Sequence, residues 1–360
     1  MTVTFNFMPV YSAIQLRSLT KNIFVAESAT EENAETVANH LVRANLAGHD
    51  SHGILRIPGY ASSIENGELD PRATGTLEID DHAVGVFNGN RGFGQVIATN
   101  AMRIAIDKAR HYGVSAIGVY KCGHIGRMAD YCMMAMQQDM IGITTANMHP
   151  IMSAFGGAER VFNASPIGAA VPTSRERPFV LDISMGMSVE GKIFLKKARG
   201  EKLSQGEIVD KDGKPSIEPD DYLSGGSIQP FGGSLGYKSY GLAFLIDILS
   251  GALGGSGCAS SADRLEGNGV FMIAIDICKF TALERFKKTI DEVIRKVKQG
   301  KKAVGFNEIL IPGEPEFLEE EKRLTSGIFI EDSTIGQISE IASRLHVEMP
   351  EPFISAPKPR

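Results

Sequence analysis

Residues 95–120 read QVIATNAMRIAIDKARHYGVSAIGVY, and their pattern decides the fold class. Ala98, Ala101, Met102, Ala105 and Ala109 recur at spacings of three and four, which lines one face of a helix. Gly113 follows, a residue that readily takes the left-handed conformation ending a helix. Residues 114–120 then read as a buried strand. The same alternation continues on both sides. Residues 84–87 are a short strand. Residues 126–139 return to helical spacing through Met128, Tyr131, Cys132, Ala135 and Met136, and 140–147 is the next strand. Strands at 180–183 and 270–277 and a strongly apolar helix at 240–253 complete an α/β domain expected over 76–280.

The flanks read differently. Residues 1–75 are mainly helical by pattern, most plainly at 31–46, where Ala34, Val37, Ala38, Leu41 and Val42 share a face. Residues 281–299 carry Leu283, Phe286, Ile290, Val293, Ile294 and Val297 at helical spacing, with Gly300 as a stop. Ser333 reads as the cap of a further helix bearing Ile335, Ile338 and Ile341. Residues 1–75 and 281–345 are expected to form one helical lobe on the substrate and dimer side. Residues 202–226, with an Asp212-Gly213 turn and breakers at Pro215 and Pro219, read as a hairpin or lid. Residues 346–360 read as a proline-rich tail of little order.

Composition excludes several classes. At 360 residues the chain can bury a large core. A net charge of −6 gives no general attraction for nucleic acid. No apolar run approaches the roughly 20 residues that span a bilayer. Residues 1–17 lack the basic start and apolar core of a secretory signal. Cys122, Cys132, Cys258 and Cys278 show no paired spacing, so free thiols in a cytoplasmic protein are expected. Cys122-x-His124 has no second pair nearby, and no metal site is expected.

The most chemical stretch is Gly48-His49-Asp50-Ser51-His52-Gly53, with Arg56 and Tyr60 beyond it. A helix needs a glycine to stop; it does not need two imidazoles and a guanidinium within eight residues. Histidine titrates near neutrality and suits proton transfer. Arginine offers a planar fork for a carboxylate. If 52–56 is helical, His52 and Arg56 share a face one turn apart. A surface pair between Arg56 and an acid such as Glu65 is the plainer alternative. His124, between a strand and a helix with Gly123 and Gly126 beside it, stands where α/β proteins collect ligands. Asp182 reads as a helix cap or turn residue. Neither 89–94 nor 254–257 has the order of a dinucleotide fingerprint, and both read as loops.

Seven segments carry a resemblance, which runs over about 34–315: RANLAGHDSHG (43–53), GFGQ (92–95), GHIG (123–126), LDI (181–183), DKDGKP (210–215), GYKSYGL (236–242) and IPGEP (311–315). The chain resembles the malate/L-lactate dehydrogenase family, which is distinct from the Rossmann-type lactate dehydrogenases. Sulfolactate and ureidoglycolate dehydrogenases, diketogulonate reductase and a reductase of piperideine-2-carboxylate are relatives in that group.

The resemblance implies a non-Rossmann NAD(P)-binding α/β domain, hydride transfer on a small 2-hydroxy or 2-oxo acid, and a homodimer. NAD is the expected cofactor, with NADP the alternative. It implies His52 as proton-transfer group, helped by Ser51 and Lys192. Arg56, Tyr60, His124 and Ala164 would meet the substrate. Cofactor contacts would come from His124, Ile125, Gly126, Arg127 and Met128, from Leu181, Asp182 and Ile183, and from Ile311, Gly313 and Glu314. Two departures stand out. Lys121-Cys122-Gly123-His124 replaces the family's usual Ser-Asn-His, and Ala164 stands where the family has a substrate-contacting threonine. Lys192 after Gly191 favours hydroxy-acid over cyclic-imine chemistry, because the imine branch carries an acid there. A non-catalytic binding protein on the same fold is the reading from another class. It would need no poised His52.

Overall fold

The computed structural model describes residues 7–357. Strand β1 (Phe7–Tyr11) leads into α1 (Ala13–Ala26), α2 (Glu31–Leu46) and α3 (Ile57–Glu65). Ser12 caps α1 in a reciprocal capping box with Gln15, and Thr30 caps α2. Leu16, Ile23 and Phe24 of α1 meet Leu41 of α2 and Ile57 and Tyr60 of α3 in one buried cluster, which Ile338 and Ala342 also join.

The α/β centre follows: β2 (Thr76–Asp81), β3 (Val84–Asn88), α4 (Gly94–Tyr112), β4 (Val114–Cys122), α5 (Ala129–Met136) and β5 (Met140–Asn147). Next come the short β6 (Met152–Ser153) and β7 (Arg160–Phe162), then β8 (Ile167–Val171), β9 (Phe179–Ile183) and α6 (Glu190–Ala198). The polar stretch forms a hairpin, β10 (Ile208–Val209) with β11 (Pro215–Ser216), followed by α7 (Pro219–Leu223) and β12 (Ser227–Ile228). Helix α8 (Tyr237–Asp247) precedes β13 (Asn268–Asp276). The main sheet has the order β2-β3-β4-β13-β5-β8-β9. β3 and β4 are parallel, while β13 is antiparallel to both β4 and β5. A late strand inserted between two parallel ones separates this sheet from a doubly wound one. Alanine-rich α4 and α5 pack on one face over Ile117, Val119 and Met272.

The chain closes with α9 (Leu283–Lys298), α10 (Glu314–Ser326), β14 (Ile328–Phe329), α11 (Asp332–Arg344) and β15 (Ile354–Pro357). Several expectations change here. The tail is paired: β15 runs antiparallel to β1 as an edge strand, the place where proline is tolerated. Glu331, not Ser333, occupies the cap position of α11. Helix α9, expected beside the N-terminal helices, instead uses buried Asp291 to accept backbone N–H bonds from Ser174, Arg175 and Glu176. The apolar helix begins at Tyr237, and its end passes into a π-helical turn at Ile248–Leu253. Helix α5 begins at Ala129 rather than residue 126, because Gly126 sits at φ 69° and the Asp182 carboxylate accepts the Ala129 N–H at 2.9 Å. Asp182 is thus a cap supplied from another strand.

Candidate active site

Helix α2 ends in a Schellman arrangement. The Gly48 N–H bonds to Asn45 O at 3.0 Å and the His49 N–H to Ala44 O at 2.8 Å, with Gly48 at φ 81°. Two 3-10 turns follow, Asp50–His52 and Ile54–Arg56, broken at Gly53. The single helical turn through His52 and Arg56 is therefore not formed. Asn45 enforces the break. Its Oδ1 accepts the Ile54 N–H at 2.9 Å and its Nδ2 donates to Asp50 Oδ1 at 2.7 Å. A Cβ on residue 53 would stand 2.2 Å from Asn45 Oδ1, so only glycine fits. From α10, Arg323 donates to both Asp50 oxygens at 2.7 and 3.1 Å and to Asn45 O at 2.6 Å. A bidentate pair and a helix C-terminal carbonyl thus hold the turn in place.

Two imidazoles face each other above this turn. Their rings, His52 and His124, stack with centroids 5.5 Å apart. Ser51 Oγ lies 3.0 Å from His52 Nδ1, which leaves Nε2 for a ligand. Behind His124, Tyr60 Oη lies 2.8 Å from its Nδ1 and accepts a bond from Gln95 Nε2, also 2.8 Å. With the Gln95 amide donating, the tyrosine hydrogen is left for Nδ1. His124 then carries its own hydrogen on Nε2. Close backbone approach supports this loop: a Cβ on Gly94 would stand 2.3 Å from His124 O. Burial, then the Arg56 charge, lowers the His52 pKa to about 3 and drives that of His124 well below its usual value. Both rings are neutral at pH 7. Burial pushes the Tyr60 phenol up to about 12.

Arg56 Nε donates to Ser51 O at 2.7 Å. Among the described residues no carboxylate pairs with Arg56. Glu65, the plain alternative, pairs with Arg344.

These groups border a cavity of about 620 Å³ at the carboxyl ends of β4, β5 and β9. Of the residues singled out in the sequence, Ser51, His52, Arg56, His124, Ala164 and Lys192 line it. So do Ile125, Gly126, Arg127, Met128, Asp182 and Ile183. Tyr60 does not; it is 7 % exposed and supports His124 from behind. Leu181, Ile311, Gly313 and Glu314 also stay off the wall. The 311–314 segment packs beside β9, where Val180 N–H bonds to Pro312 O at 3.1 Å and a Cβ on Gly313 would meet Val180. Glu314 pairs with Lys298. Sequence reading gave no role to His149, Glu190 and Asn268, which do line the cavity. His149 follows the carboxyl end of β5, and that position was the available signal. Glu190 carried no signal in the sequence; in the structure it is an acid in the first turn of α6, where the helix dipole alone would account for it.

The sequence profile of the malate/L-lactate dehydrogenase family matches residues 11–339. The chain belongs to this family. It is 36% identical over 348 residues to malate/(S)-sulfolactate dehydrogenase of Methanothermus fervidus, covering 94% of this chain and 99% of that one. It superposes on sulfolactate dehydrogenase of Methanocaldococcus jannaschii with a TM-score of 0.86 at 34% identity, over 94% of this chain and 98% of the other. For malate dehydrogenase of Entamoeba histolytica the TM-score is 0.90 at 27% identity, over 95% and 99%. The chain is accordingly an oxidoreductase of the CH–OH dehydrogenase class.

Proposed function

We propose that this chain interconverts a small 2-hydroxy acid and its 2-oxo acid with a nicotinamide cofactor, NAD in preference to NADP. The observation that carries the residue roles is the stacked pair of neutral imidazoles beside an arginine without a protein carboxylate. In oxidation His52 takes the C2 hydroxyl proton at Nε2, while Ser51 orients the ring through Nδ1. His124, donating from Nε2, polarises the same oxygen. Arg56 grips the C1 carboxylate with its two terminal nitrogens, its Nε being held by Ser51 O. Lys192 adds a positive charge at the rim.

The wall residues fit a dinucleotide. Arg127 Nε is buried without a hydrogen-bond partner, a donor suited to a phosphate oxygen. Gly126 to Met128, with Asp182 and Ile183, would hold the cofactor. Once bound, the nicotinamide supplies the hydride acceptor or donor. The deciding test is nicotinamide absorbance with a panel of 2-oxo acids, a cyclic imine acid included, and both reduced cofactors. Ligand binding without turnover of any panel member would favour a non-catalytic protein.

We also propose a homodimer built on α8. Helix α8 and the π-helical turn after it expose Leu242, Phe244, Leu245, Ile248 and Leu253 at 38–58 %, more apolar side chain than a monomer's helix commonly leaves in water. Light scattering should give twice the chain mass, and Leu245→Glu should halve it. No described helix is long and apolar enough to cross a membrane, and the four thiols are free, which suits a cytoplasmic enzyme.

A further inference from the structure

The part of the cavity wall supplied by α6 carries an acid that the proposed mechanism does not use. Glu190 opens α6 and lines the cavity. Its Oε1 accepts from the Tyr222 hydroxyl at 2.5 Å, and its Oε2 lies 3.3 Å from His149 Nε2. The Arg160 guanidinium stacks 4.0 Å from the Tyr222 ring centroid while its own donors go to the backbone carbonyls of Tyr222 and Gly226. Both carboxylate oxygens of Glu190 are thus held, and the bonds from His149 and Tyr222 keep the carboxyl below its usual range against a burial that opposes them.

Its place relative to the chemistry follows from its neighbour. A Cβ on Gly191 would stand 3.9 Å from Ser51 Cβ, and Ser51 holds His52. Glu190 is therefore one residue from the wall that positions the proton-transfer group. Lys192 cannot cancel it directly. Residues two apart in a helix point to different faces, and among the described residues no ion pair joins them. Glu190 lines the same cavity as Arg56, His52 and His124, so the carbons beyond C2 of an acid held at C1 by Arg56 can extend toward a wall that carries this negative charge.

Resting on the proposed 2-oxo acid chemistry, we propose that Glu190 is a specificity-determining residue that disfavours substrates with a second carboxylate and favours those whose far end donates hydrogen bonds, such as a hydroxyl or an amide nitrogen. Like charges at short range repel, and a desolvated carboxylate lacking a donor is left unsatisfied. A purely structural role, closing the first turn of α6, would treat both kinds of substrate alike.

The test compares oxaloacetate with 4-hydroxy-2-oxobutyrate, which have four carbons each and differ at the far end. It reads kcat/KM, or the inhibition constant against any panel acid that is reduced. The wild-type protein should favour the hydroxy acid by tenfold or more. Glu190→Gln keeps the shape and removes the charge, and should shift the ratio toward oxaloacetate by at least tenfold. Glu190→Ser gives the same readout should the glutamine variant fold poorly. A wild-type preference for oxaloacetate, or an unchanged ratio in the variants, overturns the role of Glu190 while leaving the 2-oxo acid reading intact. Failure to reduce any panel acid defeats that reading, and this inference with it.

Discussion

Replacing Tyr60 by phenylalanine tests whether His124 is held from behind. Tyr60 is buried and off the cavity wall, so the change removes one hydroxyl and no ligand contact. Two buried groups lose their partner, His124 Nδ1 and Gln95 Nε2, each bonded at 2.8 Å. An unsatisfied buried polar group costs about 1–3 kcal/mol, so with two of them unfolding free energy should fall by roughly 2–6 kcal/mol. The catalytic effect has a different origin. Without the tyrosine donor, His124 can carry its hydrogen on Nδ1 and lose the Nε2 donor that polarises the substrate oxygen. One such hydrogen bond, at about 1.4–2.7 kcal/mol, corresponds to roughly ten- to a hundredfold in kcat. KM for the 2-oxo acid should stay within a few-fold. Steady-state nicotinamide absorbance, normalised to the folded fraction from urea titration, gives both constants. Nitrogen-15 chemical shifts of the His124 ring report the tautomer directly. A large rise in KM with kcat unchanged would refute the argument and return Tyr60 to the substrate-contacting role that the sequence suggested.

Three further outcomes are expected. His52→Asn should lower kcat by about 10²–10⁴-fold with cofactor affinity nearly unchanged, and His124→Gln by less; the reverse order would exchange their roles. Arg56→Lys should raise KM for a 2-oxo acid and cost about 2–5 kcal/mol in kcat/KM, and an equal loss on an uncharged carbonyl compound would show that Arg56 does not read the carboxylate. Stability should fall with acid early. His40 is held near 4, His52 near 3 and His124 well below its ordinary value, chiefly by burial, so the unfolded chain binds more protons below about pH 6.5. Their contribution is complete above that pH and is lost progressively as pH falls through about 4 for His40 and about 3 for His52. Urea midpoints that stay flat from pH 7.5 to 5 would contradict this.

The α/β centre was legible because α4, β4 and β5 are local patterns of period and composition. What escaped depends on partners far along the chain. Strand β15 exists only because β1 offers an edge, and prolines at 350, 352 and 357 argued against order. The start of α5 is set by a carboxylate 53 residues away, so residue spacing alone placed it too early. The site divides in the same way. Ser51, His52 and Arg56 stood out as chemistry crowded into one turn. Arg323, which clamps that turn through Asp50 from 273 residues away, carried no local mark. Glu190 had an ordinary local explanation in the dipole of its own helix, and its function-bearing neighbours, His149 and Tyr222, come from two other loops and helices.

The electrostatics of the centre fit a reaction that releases one proton per turnover. Arg56, His52 and His124 are crowded together, and a second positive charge on the stacked rings would meet both the first and the guanidinium. Before substrate binds, the two rings are neutral near pH 7, which leaves His52 free to take the proton that the proposed mechanism assigns to it. On the proposed roles, an arriving carboxylate would offset the Arg56 charge, which after burial helps hold the His52 pKa down. Substrate binding at Arg56 would therefore raise the basicity of His52 at the stage where the proposed mechanism has it take a proton. On the proposed roles, the same coupling would let one arginine serve both recognition and catalysis. It also separates the Arg56→Lys loss into two parts, a weaker grip seen in KM and a misplaced charge seen in the pH dependence of kcat. A lysine that kept the charge but shifted it away from His52 would raise KM and move the lower limb of the kcat profile. A neutral glutamine would raise KM more and leave His52 the stronger base in the free enzyme.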